Sequence, residues 1–307
     1  RLIEKLCKNA DVLINVCTQT ATTEVLYPIL YKIPCKKVLY MHGFHDFHWH
    51  SFDLASFSNF GHKLWNNFRW RFDYLTNGKY IKKYDTTIQL HEMDEATFFM
   101  KKKFGINSKI INNGADKQFF LSKEDVKLQN EPYAVCIANF IPRKNQEFIL
   151  RSFYMSKRNH LSLILVGSKT TPYFFELIKL KAKLDKKYGQ RRVEILHDIP
   201  REQIATYVKN SSLYLLGSEW EAFPISIVEA MAAGVPYIST DVGIVKYLPG
   251  GKIVDSVNEM AFWIDLLTKN RKVAHSLGNE GKYYADENFV EEKIVLKLES
   301  ILKDKHL

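Results

Sequence analysis

The chain has 307 residues, of which 46% are apolar, and a formal net charge of +10. This length favours two domains, and the apolar content excludes an intrinsically disordered protein. Every apolar run is shorter than the roughly eighteen residues of a membrane-spanning helix, and no signal-peptide pattern opens the chain. The four cysteines show no paired spacing, so we expect reduced thiols in a cytosolic protein.

The excess of cations is denser in the first third of the chain than in the rest. A basic surface suits nucleic acid, an anionic membrane or a phosphorylated ligand, and charge alone does not choose among these partners. Nucleic acid ranks last among these partners. Nucleic-acid-binding proteins carry a basic aromatic sheet or a recognition helix, and only residues 61–84 resemble such an element, and only loosely.

The first region alternates short apolar runs with stretches of helical spacing. The predicted elements, in chain order, are a helix end in 1–10, a strand at 11–16, a helix at 22–32, strands at 37–41 and 86–89, a helix at 94–104 and a short strand at 110–111. The strand at 37–41 ends in His42 and Gly43, a common way to present a side chain over the edge of a parallel sheet.

Four histidines and one aspartate lie within residues 42–50. This composition suggests a zinc site, but the spacing matches no standard ligand pattern and no cysteine stands nearby. We therefore favour a loop in which one histidine contacts substrate over a metal site.

Residues 61–84 are basic and aromatic, and Leu64, Phe68, Phe72 and Leu75 share one helical face. The preferred interpretation is a helix that packs this stripe on the sheet. The alternative is a helix at a membrane surface, with its aromatic side chains inserted and its cations facing anionic lipid.

Polar residues 121–131 are the best linker, and strands and helices alternate again after them. Predicted strands are 133–138, 161–166, 193–196, 213–216, 235–238 and 250–254, and predicted helices are 146–157, 174–188, 202–210, 225–233, 258–270 and 291–303. We expect an α/β protein with an N-terminal domain at 1–120, a doubly wound domain at 121–285 and a closing helical segment at 286–307.

The segment 218–236 has the clearest helix start and end signals in the chain. Pro224 suits the first position of a helix, and Gly234 suits the left-handed residue just past its end. Two carboxylates bracket the helix start, Glu221 in the loop and Glu229 in the helix. In a parallel sheet this loop belongs to the ligand-binding edge.

Three features of the second region have both a plain and a functional interpretation. Arg143 and Lys144, between a strand and a helix, are either solvated cations or a phosphate site. Glu229 is either an exposed acid on an apolar helix or an acceptor for the two hydroxyls of a ribose. Glu221, beside free N–H groups at a helix start, suits a sugar ring.

The segment 221–236 resembles the Glu-x7-Glu signature of the retaining GT-B glycosyltransferases typified by glycosyl transferases group 1. The resemblance extends to the Asn-Gly-x-Asp motif at 113–116, to 139–145, to 165–167 and to 239–243, and covers the chain from about residue 10 onward. It implies two Rossmann-like domains, with the donor held mainly by the C-terminal one.

The resemblance also implies roles for individual residues. Lys144 binds the donor diphosphate, Glu221 contacts the donor sugar beside the N–H groups near Phe223 and Pro224, and Glu229 holds the ribose. His42 stands near the donor sugar and the reacting centre. The implied reaction needs no metal or other cofactor and retains the anomeric configuration through front-face attack.

Three departures from the family pattern matter. Asn139 stands where the family commonly has an arginine, so we expect Arg143 to supply the missing diphosphate cation. Ala222 replaces a glycine, which is tolerated where φ is negative. The resemblance also implies a first strand and a glycine-rich loop upstream of Arg1, so we expect an incomplete first domain.

We therefore predict a hexosyltransferase-like enzyme that moves a sugar from a nucleotide-sugar to a glycan or lipid-linked acceptor. Surface polysaccharide synthesis in the cytoplasm, at the inner face of the membrane, fits the resemblance and the basic aromatic stretch. The alternatives are a non-catalytic nucleotide- or glycan-binding GT-B protein, and a GT-B epimerase or phosphorylase.

Overall fold

The structure is a computed structural model that describes residues 2–43, 60–121 and 131–304. Within it the chain forms two compact units, one comprising Arg1–Ile111 with Lys297–Leu307 and the other Asn112–Leu296. The division falls before the predicted boundary at 120, and the closing segment is shared between the units. One reason is that the Lys36 ammonium donates 2.6 Å hydrogen bonds to the carbonyls of Ile301 and Asp304, which ties the chain end to the first unit.

The first unit is built on a four-stranded parallel sheet whose strands lie in chain order. The strands are β1 (Val12–Val16), β2 (Lys36–Tyr40), β3 (Thr86–Gln89) and β4 (Lys109–Ile110). The helices are α1 (Leu2–Cys7), α2 (Ala21–Glu24), α3 (Phe60–Ile81) and α4 (Glu95–Phe104). Leu30, Leu39, Met41, Ile81 and Met100 are fully buried between these layers and form the centre of the core.

The helix predicted at 22–32 is two separate pieces, α2 and a 3-10 turn at Tyr27–Lys32. Pro28 lies at the start of that turn. Because proline has no N–H to donate back to the preceding turn, it begins a new element there and does not continue α2.

The preferred interpretation of residues 61–84 is corrected by the orientation of α3. Phe68, Phe72 and Leu75 are exposed, at 56%, 68% and 74% of their surface, and do not pack on the sheet. The face that α3 buries carries Tyr74 and Ile81. The helix has apolar residues on two faces, and the exposed one is the stripe that the sequence assigned to the core.

The second unit contains a six-stranded parallel sheet in the order β10-β9-β8-β5-β6-β7. Its strands are β5 (Tyr133–Ile137), β6 (Ser162–Gly167), β7 (Val193–His197), β8 (Leu213–Leu216), β9 (Tyr237–Thr240) and β10 (Gly251–Val254). Its helices are α5 (Lys117–Phe120), α6 (Gln146–Met155), α7 (Pro172–Tyr188), α8 (Arg201–Lys209), α9 (Ile225–Ala232), α10 (Val257–Lys269), α11 (Arg271–Asn288) and α12 (Glu291–Lys303), the last of which continues into the first unit.

The doubly wound arrangement predicted for this region is confirmed. The central strands β5, β6 and β8 are almost wholly buried, as expected for a parallel sheet covered by helices on both faces. On one side the core joins Ile149 and Phe153 of α6 to Met260 and Ile264 of α10.

Helix α11 has no counterpart among the predicted elements. Its interior holds Gly278 and Gly281, and glycine is among the weakest helix formers. Both glycines are buried, and a Cβ at Gly278 would overlap the carbonyl oxygen of Gly234 at the end of α9. Close backbone packing against α9 therefore explains a residue choice that local propensity disfavours.

Candidate functional site

The order of strands reverses between β5 and β8, because β6 and β7 lie on one side of this pair and β9 and β10 on the other. The loops that leave β5 and β8 therefore diverge and leave a crevice, which is where parallel α/β sheets bind ligands. A cleft of about 610 Å³ lies at this edge. The loops after β5, β6 and β8 and the first turns of α8 and α9 line it.

The loop after β5 has a tightly fixed backbone. A 3-10 turn at Pro142–Lys144 is followed by Asn145 in the left-handed region, at φ +46°, and the Asn145 side chain caps α6 by accepting from the Phe148 N–H. The buried Gln146 amide donates to the carbonyl oxygens of Ala138 and Asn139. These bonds fix the loop that carries Lys144 into the cleft.

Lys144 and Glu221 form an ion pair between the loops after β5 and β8. The side chains are 20% and 10% exposed, and the Ser218 hydroxyl donates a second hydrogen bond of 2.7 Å to the same Glu221 oxygen. The Glu219 N–H also donates to the Arg143 carbonyl at 2.9 Å. The two loops that the sequence selected are thus joined directly.

The loop after β8 leads into α9, which begins at Ile225 with Pro224 as its N-terminal flanking residue. Among the described residues no side chain caps this helix start, which lines the cleft, so its first N–H groups are available to an anionic ligand. Phe223 is buried, and its carbonyl accepts from the Asn113 amide at 3.1 Å. The Asn-Gly-x-Asp segment is therefore hydrogen-bonded to the loop that lines the cleft.

Two smaller expectations for this segment are confirmed. Gly234 follows the end of α9 with a positive φ of +69°. Within the described part of the chain, the non-glycine residues with positive φ are Cys17, Asn145 and Asp198, so Ala222 replaces glycine without strain in φ.

Glu229 points from α9 into the cleft, with only 4% of its side chain exposed. Its Oε1 accepts a hydrogen bond from the Arg201 guanidinium in the first turn of α8. Burial raises the pKa of the Glu229 carboxyl, while Arg201 acts to lower it and Asp116 acts to raise it. The plain interpretation of Glu229 as an exposed acid is thereby excluded.

Arg143 is not brought into the cleft. Its side chain is exposed, and the guanidinium stacks over the Trp220 ring, 5.1 Å from the ring centroid. Asn139 does line the cleft, where its amide oxygen accepts a 2.7 Å hydrogen bond from the Ser168 hydroxyl. The cations that line the cleft among the described residues are Lys144 and Arg201.

The sequence did not single out Arg201. The one local signal is a cation at the first position of a helix, where the helix dipole disfavours positive charge. Glu229, its partner, lies 28 residues further along the chain, so only the packing of α8 beside α9 reveals the pair.

His42 belongs to the first unit, at the end of β2. Its N–H donates to the Cys17 sulfur at 3.4 Å, and its ring lies 4.4 Å from the Tyr40 ring. Burial lowers the pKa of the imidazole. The other histidines of the 42–50 segment lie outside the described residues. Among the residues that the structure describes, no three His, Cys, Asp or Glu side chains form a group that could hold a metal ion.

The four cysteines, all within the described ranges, are free thiols, as the sequence predicts: Cys7, Cys17, Cys35 and Cys136. In the ranges 2–43, 60–121 and 131–304, no helix is both long enough and apolar enough to cross a membrane.

The sequence profile described as "Glycosyl transferases group 1" matches residues 117–284, the region that contains the cleft. The N-acetyl-alpha-D-glucosaminyl L-malate synthase of Bacillus anthracis is 29% identical over 191 residues, which are 60% of this chain and 48% of that protein. The GDP-mannose-dependent alpha-(1-6)-phosphatidylinositol monomannoside mannosyltransferase of Mycolicibacterium smegmatis is 26% identical over 183 residues, or 54% of this chain and 46% of that protein. The matched part thus spans about half of each relative.

The fold is similar to that of Anabaena HepE, solved in complex with UDP and glucose. The TM-score is 0.74 at 18% identity, and the match covers 98% of this chain and 80% of that one. At this identity the likeness establishes the fold, which is the predicted GT-B arrangement of two Rossmann-like domains.

Proposed function

The chain belongs to the glycosyl transferases group 1 family, and from this premise we propose that it moves a sugar from a nucleotide-sugar donor to a glycan or lipid-linked acceptor, with retention of configuration. Retention is inferred from the resemblance of 221–236 to the signature of retaining enzymes. UDP is the first nucleotide to test, because HepE, which shares the fold, was solved with UDP and glucose.

The observation that carries the proposal is the joint placement of Lys144, Glu221, Glu229 and the start of α9 around one cleft at the strand-order reversal. A cation and a helix N-terminus suit a diphosphate, and two carboxylates suit the hydroxyls of two sugar rings. A nucleoside diphosphate sugar carries a ribose, a diphosphate and a second sugar ring, and so has a group for each of these partners. We assign the diphosphate to Lys144 and α9, the donor sugar to Glu221 and the ribose to Glu229.

In the proposed step, the bond between the donor's anomeric carbon and the diphosphate oxygen breaks while the acceptor hydroxyl attacks from the same face. The acceptor proton moves to the departing phosphate oxygen, so no separate base is required. Lys144 and the α9 N-terminus stabilise the negative charge that develops on the diphosphate. They take the place of a metal ion, so activity should persist in EDTA. The role of His42 near the reacting centre remains a prediction from the resemblance.

The test is an assay for nucleotide release from UDP-, GDP- and ADP-sugars, followed by NMR of the product's anomeric proton. Release that depends on acceptor, with retained configuration, supports the proposal. Inversion would contradict the retaining mechanism. Nucleotide binding without turnover of any donor would instead indicate a non-catalytic nucleotide-binding protein.

Arg143→Ala is expected to leave the Kd for the nucleoside diphosphate within about twofold of wild type, because an exposed cation stacked on a surface ring contributes little. Calorimetric titration measures this directly. A loss of tenfold or more would show that Arg143 moves into the cleft when the ligand binds.

We further propose that the exposed face of α3 contacts an anionic membrane, as suits an enzyme of surface polysaccharide synthesis with a lipid-linked acceptor at the cytoplasmic face. Trp65, Phe68, Phe72 and Leu75 lie on this face and are each more than half exposed. Lysines follow at 79, 82 and 83, and a basic helix with exposed aromatic residues is the pattern of interfacial binding.

The double variant Phe72→Ser/Leu75→Ser is expected to weaken co-sedimentation with phosphatidylglycerol vesicles by at least tenfold, since each buried side chain contributes about 1.5–3 kcal/mol. Binding should also weaken as salt is added. Phe175→Ser, at an aromatic residue of α7 that is 54% exposed, is the matched control and should bind like wild type. Absence of wild-type binding at low salt would reject the membrane contact.

A further inference from the structure

Arg201 occupies an unfavourable place for a cation, the first residue of α8, yet its side chain has two partners. It donates to Glu229 Oε1, and the guanidinium centre lies 5.6 Å from the centroid of the buried Phe119 ring. Since the helix dipole opposes a positive charge here, the contacts on α5 and α9 account for the position of this side chain.

Glu229 lines the cleft, and one of its carboxylate oxygens is engaged within the protein. Arg201 bonds Oε1, and among the described residues none donates to Oε2. An ionised carboxylate only accepts hydrogen bonds, and one that is held in a single orientation presents its remaining lone pairs to the hydroxyls of a ribose at a defined angle. A carboxylate that is 4% exposed and held on one oxygen fits this description.

We propose that Arg201 is a positioning residue that fixes the Glu229 carboxylate so that Oε2 faces the ribose of the bound nucleotide. The inference rests on the proposed function, since it needs a nucleotide in the cleft. On this proposal, Arg201 contributes to nucleotide affinity by orienting Glu229, because its guanidinium contacts the Glu229 carboxylate and the Phe119 ring.

The charged state of Glu229 depends on the groups that face it. These are the Arg201 guanidinium from α8, the Asp116 carboxylate at the start of α5, and the Tyr214 hydroxyl of β8, whose own pKa burial raises far above neutral. Burial raises the pKa of Glu229 and Arg201 opposes that rise. Nucleotide affinity should therefore fall as pH falls through this pKa, and loss of Arg201 should move that fall to higher pH.

The decisive measurement is the Kd of UDP, by calorimetry from pH 6 to pH 8, in the full chain and in variants at the two positions. Arg201→Gln should weaken binding more at pH 6 than at pH 8, because loss of the guanidinium raises the pKa of the Glu229 carboxyl further. Arg201→Lys keeps the charge and should restore most of the affinity. The terminal phosphate of UDP also titrates near pH 6, but its effect cancels when variants are compared at one pH.

A double-mutant cycle separates positioning from direct contact. In a Glu229→Gln background, Arg201→Gln should cause no further loss, and the affinity difference between the two proteins should not change with pH. Uridine should lose as much affinity as UDP when Arg201 is replaced. An equal loss in both backgrounds, or a loss that grows from uridine to UDP, would overturn the inference in favour of a phosphate contact.

Failure of the proposed function gives a different binding result from failure of the positioning role. A wild-type protein that binds none of UDP, GDP and ADP would remove both the function and the positioning role. A wild-type protein that binds a nucleotide, with Arg201→Gln unchanged at every pH, would remove only the positioning role.

Discussion

Lys144→Ala is expected to lower kcat/KM for sugar transfer by about 100- to 1000-fold, the usual cost of losing one group that stabilises developing negative charge. The substitution removes the cation assigned to the departing diphosphate. It also leaves Glu221, which is 10% exposed, without its ion-pair partner. The measurement is steady-state nucleotide release with the best donor, together with the Kd of the nucleoside diphosphate, which we expect to weaken by about 1–3 kcal/mol.

The control for a general loss of positive charge is Lys169→Ala, in the exposed loop after β6. This variant should keep activity within about twofold, because an exposed charge outside the site is screened by solvent. The double variant Lys144→Ala/Glu221→Gln tests whether the lysine acts only on the protein. Its readout is the Kd of UDP, because UDP lacks the donor sugar that we assign to Glu221. Recovery of wild-type UDP affinity in the double variant would mean that Lys144 merely neutralises Glu221, and would remove its role at the diphosphate.

Gly243→Ala is expected to destabilise the second unit by about 3 kcal/mol and to weaken nucleotide binding at least tenfold. Gly243 follows β9 with a φ of +53°, and a Cβ there would lie 2.6 Å from the Glu221 carbonyl oxygen and closer still to that of Ala222. Both carbonyls belong to the turn that presents Glu221. The methyl group must therefore displace that turn or unfold its surroundings.

Gly105→Ala is the matched control for backbone strain alone. Gly105 has a φ of +70°, and a Cβ there would meet no atom within 4 Å. Its replacement should cost only about 1 kcal/mol, the penalty of the left-handed region, and should not change nucleotide affinity. Thermal unfolding and calorimetric titration of both variants provide the comparison. Equal behaviour of the two variants would show that the contact between Gly243 and the 221–222 turn has no energetic importance.

The elements that the sequence predicts best are those with strong local signals. The strand Leu213–Leu216 has the bounds that its apolar run predicts, because the central strands of a covered parallel sheet are rich in apolar residues. The strand Thr86–Gln89 also has its predicted bounds, although three of its four residues are polar. The end of α9 is equally clear, since Gly234 suits the left-handed conformation just past a helix and Pro236 cannot continue one. Such signals require only a few neighbouring residues.

The candidate site was predictable where a charged side chain lies in the loop that directly follows a predicted strand. Lys144 follows a strand and Glu221 follows another, and both belong to the carboxyl edge of one parallel sheet. The assignment of Arg143 as the replacement for the missing family arginine stays a prediction. Arg143 lies in the loop after β5, and its guanidinium stacks over the Trp220 ring.

By itself, then, the sequence determined the alternation of strands and helices, the ends of α9, and the residues whose loops meet at the reversal of strand order. The tertiary structure alone decided that Arg201 faces Glu229, that α3 exposes its aromatic stripe, and that Gly278 permits α11 to pack on α9. The physical reason is the same in each case. Helix and strand signals act over a few residues, whereas the partner of a side chain depends on which surfaces the whole chain brings together.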